Sequence, residues 1–338
     1  MTQTTTVRLE NTISAGPIAL GLQRIRREGA LAPVLAFVAF FAIYIAVNPG
    51  LLSRFQLQSA ANLVVPLAIV ALAQLIIVIT GGIDISIGAM MSLCNVVFAT
   101  QYAQLSPPVA ILLALVTGAL CGIFNGVLVA YLRLPAIAVT LASSFIFAAL
   151  ARQILDRPGG TLGEAVYFAT SGELFPFFPI ALLWLIIAAV LVWLYLQRTP
   201  LGRQVYGVGS HRPAVPAAGP NSRFTTLLAF TVAGTLVGYA SILLAGSTMT
   251  GDPRSGDSYL LTSIAAVALS GALFSGGRGS VLGTVLAAIT LGMVGNLLFF
   301  AGINSYWQYV INALIILAVV AIPVIANRSF TALRGARK

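Results

Sequence analysis

Long apolar runs alternate with short polar connectors along nearly the whole chain. A helix that crosses the hydrocarbon layer needs about 20 mostly apolar residues. Runs of that kind lie at 31–49, 60–80, 84–100, 108–131, 135–155, 176–196, 224–247, 258–275, 279–300 and 305–326. The pattern therefore predicts an all-α integral membrane protein with about ten transmembrane helices. The third and eighth runs are the shortest and the most broken by small residues, and the third either spans or re-enters. Residues 31–326 read as a single transmembrane domain between an N-terminal tail, 1–30, and a C-terminal tail, 327–338. The first tail has no continuous apolar core and no small-residue cleavage pattern, and Arg24, Arg26 and Arg27 stand just before the first run. It reads as an uncleaved tail, in which 17–28 forms either a surface amphipathic helix or a solvated basic stretch.

Composition supports the same class. Of 338 residues, 59% are hydrophobic and 8% charged, against about 25% charged in soluble domains. A net charge of +10 in a soluble protein would suggest nucleic acid. Here the basic residues are scattered singly in connectors and tails, which is the pattern of topology determinants, and no nucleic-acid partner is expected. With the N-terminus inside and ten crossings, the outside connectors hold only Arg54, Arg152, Arg157 and Arg254 of the 18 basic residues, together with Asp156, Glu164, Glu173, Asp252 and Asp257. The positive-inside rule then places both termini in the cytoplasm.

Enzymatic chemistry finds little support. His211 is the single histidine, so no metal cluster can be built around it, and no HExxH motif is present. Cys94 and Cys121 lie inside apolar runs and read as small core residues. The stretch 276–284, GGRGSVLGT, looks like a phosphate loop but lacks the GK[ST] ending. The chain also lacks the Asp/Glu/His series of a proton-driven pump. A polytopic transporter without its own energy source is best explained by a partner that supplies energy.

The stretch 79–88, ITGGIDISIG, interrupts this pattern. It carries the only acid between Glu28 and Asp156. Gly81 and Gly82 weaken the helix. Asp84 and Ser86 are then expected to accept hydrogen bonds from free N–H groups at the start of the next helix, as caps do. A structural cap and a polar element lining a transport path are both open readings, and they are compatible. The octets 81–88, GGIDISIG, and 276–283, GGRGSVLG, repeat one glycine pattern. Glycines at four-residue spacing (Gly118, Gly122 and Gly126; Gly234 and Gly238; Gly279 and Gly283) predict smooth helix faces for close packing. The connector 156–175 reads as a polar outside loop. The inside connector 197–223 has Arg198, Arg203, Arg212 and Arg223, Pro200, Pro213, Pro216 and Pro220, and no acid. It reads as a basic topology loop or as a surface for a soluble partner.

Several blocks resemble the permease subunits of ribose-type ABC importers, the sugar branch of a group that also holds branched-chain amino acid permeases. They are TGGIDISIGAMMSL (80–93), GIFNGVLVAYLRLPAIAVTL (122–141), RTPLGRQVYGVGS (198–210), SIAAVALSGALFSGGRGSVLGTVLAA (263–288) and GINSYWQYVINALIILAVV (302–320). Departures stand at Leu260 and Thr262, where members carry acids, at Ser270 in place of glycine, and in the added prolines of 197–223.

The resemblance implies a non-enzymatic subunit of a bacterial inner-membrane importer for a sugar or similar small polar solute. Its implied partners are a second copy or a paralogous permease, a cytoplasmic ATPase that holds the ATP and magnesium, and a periplasmic sugar-binding protein. No cofactor or metal is expected in this chain. Gly81, Gly82, Asp84, Ser86, Asn125 and Thr140 would line or shape the path. Arg203, Gly209, Arg212, Ala214 and Gly219 would meet the ATPase on a short helix over 203–220, and Arg152, Arg157 and Arg254 would meet the binding protein. The rival reading is a stand-alone, ion-coupled secondary transporter or facilitator.

Overall fold

The computed structural model describes residues 31–210 and 222–304 and a few further positions up to Leu317. Both tails, most of the tenth run, and Arg212, Ala214 and Gly219 lie outside the described residues. Every predicted run except the tenth coincides with a helix: α1 Leu31–Val47, α2 Arg54–Ile79, α3 Ile87–Tyr102, α4 Pro107–Ala130, α5 Ala136–Ile154, α7 Ile180–Arg198, α9 Ser222–Thr248, α10 Tyr259–Leu269 and α11 Val281–Phe300. Two further helices, α6 Glu164–Ser171 and α8 Pro200–Gly209, and a small antiparallel hairpin, β1 Glu173–Phe175 with β2 Phe178–Pro179, sit in the connectors. The expected polar loop over 156–175 thus contains ordered elements too short for a periodicity signal.

Among the described residues six helices, α2, α4, α5, α7, α9 and α11, are long and apolar enough to cross a membrane. The third and eighth runs are short as helices too. At 1.5 Å per residue α10 reaches only about 16 Å, because it stops at Leu269 and the chain turns through Gly271, Gly276 and Gly277, all at positive φ.

α2 is the axis. It is apolar on every side, and every residue from Val64 to Ile79 is buried, as expected for a helix enclosed by other helices. α9, α11, α10 and α7 pack around it. Beside it α4 and α9 run antiparallel in near backbone contact. A Cβ on Gly238 would come within 2.7 Å of the Ala114 carbonyl oxygen, and Gly118 faces Gly234 more closely still. The two glycine stripes are therefore complementary halves of one seam. The third pair is different: Gly279 precedes α11 instead of lying on it. The outer faces of α4, α5 and α7 expose Leu120, Phe145 and Leu191, an apolar surface suited to lipid and too extensive for water.

Candidate functional site

The break after α2 is built by its glycines. Thr80 closes the helix by donating its N–H to Ile77 and Val78 carbonyls. Gly81 then takes φ 88°, the left-handed position that ends many helices and that a side chain makes costly. Non-helical backbone in a membrane protein survives only when enclosed by protein or facing a cavity; here Asp84 and Ser86 are enclosed, while Gly81 and Gly82 border a cavity.

The polar side chains that follow form a buried knot. Asp84 is 1% exposed, and Ser86, Asn125 and Thr140 are fully buried. Asp84 Oδ1 accepts from the Ser86 N–H at 2.7 Å and from the Ser86 hydroxyl at 2.6 Å. Asn125 Nδ2, on α4, donates to Ser86 Oγ at 2.8 Å. Thr140 Oγ1, on α5, accepts from the Ile85 N–H at 3.0 Å and donates to the Ala136 carbonyl at 2.8 Å. The structure thus brings together the four polar residues singled out in the sequence.

The expected caps need correction. Asp84 does take a backbone N–H at the entrance to α3, that of Ser86 itself. Ser86, at the N-cap position, makes no side-chain cap bond. Its hydroxyl is already committed, donating to Asp84 and accepting from Asn125, so it ties the break to α4.

Gln74 was missed. Fully buried in α2, its amide donates to the Asp84 carbonyl at 3.2 Å and accepts the Asp84 N–H at 3.3 Å once oriented to pair donors with acceptors. Gln74 is the one polar residue in the apolar stretch 63–79 of α2, and that was the available signal, since a polar group there is expensive unless bonded. One acceptor of the knot, Asn125 Oδ1, is buried without a partner. A buried acceptor left without a partner carries its full desolvation cost.

The far side of α3 carries a second set of contacts that the sequence reading did not anticipate. Asn95 Oδ1 accepts from the Asp252 N–H at 2.8 Å, and Ser92 Oγ accepts from the Gly256 N–H at 2.9 Å. Both bonds hold the connector before α10 against α3. Gly88 packs there against Gly256, where a Cβ would come within 2.5 Å of the carbonyl oxygen.

The remaining candidates sit at opposite ends of the bundle. Arg152 is in the last turn of α5, and Arg157 and Arg254 are on connectors joined by a Gly159–Gly251 bridge. All three are exposed. At the other end, α8 begins at Pro200, earlier than the expected 203, capped by Thr199 Oγ1 accepting from the Gly202 N–H at 2.9 Å. It buries Gly202, Val205 and Gly209 and exposes Arg203. Gly209 is pressed against the Ile79 carbonyl and against Gly276 and Gly277. α8 therefore sits directly on the break that carries Asp84. Among the described residues no group of His, Cys, Asp or Glu is arranged to hold a metal.

Comparison with known proteins shows the chain's family. Residues 56–320 match the family described as branched-chain amino acid transport system / permease component. The chain is 29% identical to the ribose import permease protein RbsC of Bacillus subtilis, over 88% of this chain and 94% of that one. It is 32% identical to the autoinducer 2 import system permease protein LsrD of Escherichia coli K12, over 90% and 95%. A probable ABC transporter permease protein of Sinorhizobium fredii is also 32% identical, over 80% of each chain. No solved structure matches.

Proposed function

The chain belongs to the branched-chain amino acid transport system / permease component family, and from that premise we propose that it is the membrane-spanning subunit of an ATP-driven importer for a sugar or similar small polar solute. It is a multi-pass membrane protein of the ABC permease type, similar to sugar importer permeases. The proposal adds its place in the bacterial inner membrane, a second permease copy or a paralogue beside it, a cytoplasmic ATPase and a periplasmic binding protein.

The observation that carries this reading is the seating of α8 on the helix break. Gly209 touches the Ile79 carbonyl at the end of α2, and Asp84 lies a few residues further along the chain. In this reading Arg203 and Gly209, with Arg212, Ala214 and Gly219 beyond the described residues, form the surface that meets the ATPase. A push on α8 reaches the break with little loss, because the contact is backbone against backbone. Gly81, Gly82, Asp84, Ser86, Asn125 and Thr140 shape the path by fixing where α3 starts relative to α4 and α5. Arg152, Arg157 and Arg254 offer an exposed basic surface at the opposite end for carboxylates of a binding protein. Each such pair is worth about 1 kcal/mol or less and weakens with salt.

Reconstitution in proteoliposomes tests the proposal. Sugar uptake is expected only with the ATPase, the binding protein and ATP all present. Uptake by this chain alone, driven by an ion gradient, would overturn it in favour of a secondary transporter.

A further inference from the structure

A polar cavity of about 400 Å³ opens beside Gly81 and Gly82, between the C-terminal end of α4, the start of α5, the start of α9 and Val208 of α8. Its size falls at the low end of the range of small-molecule sites, roughly 300–1,000 Å³. Two arginines are among its lining residues, Arg133 from the α4–α5 turn and Arg223 from the first turn of α9, and both are exposed. Neither makes an ion pair among the described residues.

No described acid pairs with these arginines. Asp84 is buried in its knot. Asp156, Glu164, Glu173, Asp252 and Asp257 follow the C-terminal ends of α5 and α9. The cavity lies at the N-terminal ends of those two helices, so the acids are a bundle's length away. Ala136, which also lines the cavity, is the first residue of α5, and a helix start carries unpaired N–H groups and a positive dipole end. Arg133 itself is held at φ 56°, a left-handed conformation that costs a side-chain-bearing residue about 1 kcal/mol or more. The backbone there would be easier with glycine, and the arginine adds a positive charge to the cavity's lining.

We propose that this cavity binds a phosphate ester. Two arginines in one cavity lining, beside the start of α5, suit a doubly charged tetrahedral anion, whose oxygens can accept bidentate hydrogen bonds from a guanidinium. The phosphate belongs either to a soluble phosphorylated metabolite or to the headgroup of an anionic phospholipid, and one set of residues serves both. Because Val208 and Gly81 share the cavity, an occupant touches both α8 and the helix break.

The test uses the full-length chain purified in detergent, so it does not depend on any partner. Inorganic phosphate is titrated calorimetrically, and retention of phosphatidylglycerol against phosphatidylethanolamine is read by native mass spectrometry. Arg133→Gly with Arg223→Gln is expected to weaken phosphate binding at least tenfold, to abolish any preference for phosphatidylglycerol, or both. Loss in the phosphate arm alone assigns the site to a soluble ester. Loss in the lipid arm assigns it to a headgroup. Should the double variant fail to fold, Arg133→Gly alone carries the test, since it relieves backbone strain; it is expected to weaken binding several-fold without lowering the melting temperature. Identical phosphate affinity and identical lipid retention in wild type and variant would overturn the proposal, as would loss of ATPase association with both anion readouts unchanged.

Discussion

Two turns in this molecule start from the same glycine pattern and end differently. The first, between α2 and α3, reads GGIDISIG; the second, between α10 and α11, contains GGRGSVLG. Gly81 and Gly276 have φ of 88° and 89°. The turns also touch, since a Cβ on Gly276 would come within 3.0 Å of the Gly81 nitrogen, and Gly277 donates its N–H to the Ile79 carbonyl at 2.9 Å. Their polar content divides them. The first buries Asp84 and Ser86 and binds them to α4. The second is closed by its own backbone, with the Leu273 N–H on the Arg278 carbonyl at 3.2 Å and the Gly276 N–H on the Leu273 carbonyl at 2.9 Å, while the Arg278 side chain is exposed. The ordinary cap is also in the second turn, where Ser280 Oγ accepts from the Gly283 N–H at 3.2 Å. Glycine spacing thus encodes the shape of a turn, and the residues placed between the glycines decide whether it becomes a buried polar site.

The largest effect is expected where one residue serves both turns. Gly209 leaves no room for a side chain: a Cβ would lie 2.5 Å from the Gly277 nitrogen and closer to the Ile79 carbonyl oxygen. Gly209→Val should cost the docked arrangement more than about 4 kcal/mol through overpacking of backbone that cannot yield. Because α8 lies at the edge of the bundle, the expected result is undocking of α8 with the transmembrane core still folded. ATP-driven uptake should fall below a tenth of wild type while the purified chain keeps its helical circular dichroism. Full activity in this variant would separate α8 from the break and dissolve the common point of the comparison.

Asp84 comes next, because it distinguishes the turns. Asp84→Leu leaves the Ser86 N–H and hydroxyl without their acceptor in a buried site. That should cost about 3 kcal/mol or more, read as a drop in melting temperature or in assembled complex. Asp84→Asn keeps one acceptor oxygen and should retain most transport. A well-assembled Asn variant without transport would show that the charge itself is used, and that the first turn is more than a scaffold.

The glycines then compare the turns directly. Gly276→Ala combines a left-handed φ with a Cβ 2.8 Å from Gly209 Cα, so about 2–3 kcal/mol is expected. Gly81→Ala has the same φ, but its nearest neighbour would be the Ser275 carbonyl oxygen at 3.6 Å, so backbone strain alone should cost about 1 kcal/mol. Equal losses in melting temperature would mean that φ decides both positions and that the contact with Gly209 is slack.

The legible part of the molecule followed these same physical lines. Apolar length revealed the helices because a bilayer demands it, and the third and eighth runs betrayed their interruptions through small residues. Asp84, Ser86, Asn125 and Thr140 were legible as polar groups in expensive places or through a resemblance to known permeases. Gln74 obeyed the same rule, but it was overlooked because it does not sit beside a glycine break. Ser92, Asn95 and the connector they hold were not legible at all. Their partners are backbone N–H groups more than a hundred residues away, and no side-chain pattern advertises a backbone donor. The direction of Ser86's hydrogen bonds was likewise beyond a local rule, since Asn125 on another helix competes for its oxygen.

The smallest effect should come from Arg278, the residue standing in the second glycine pattern where Ile83 stands in the first. Its carbonyl closes the turn, but that oxygen belongs to any residue at the position. Its side chain is exposed and makes no ion pair among the described residues. Arg278→Gln should therefore shift stability by no more than about 0.5 kcal/mol, and the melting temperature of the purified chain should be unchanged within error. This near-zero result has content when set beside Asp84→Leu in the same assay. If the two turns were equivalent elements, neutralising the charge in each would give similar losses. If Arg278→Gln proves as damaging as Asp84→Leu, the second turn carries a charged contact of its own, and the division between a turn of shape and a turn of chemistry fails.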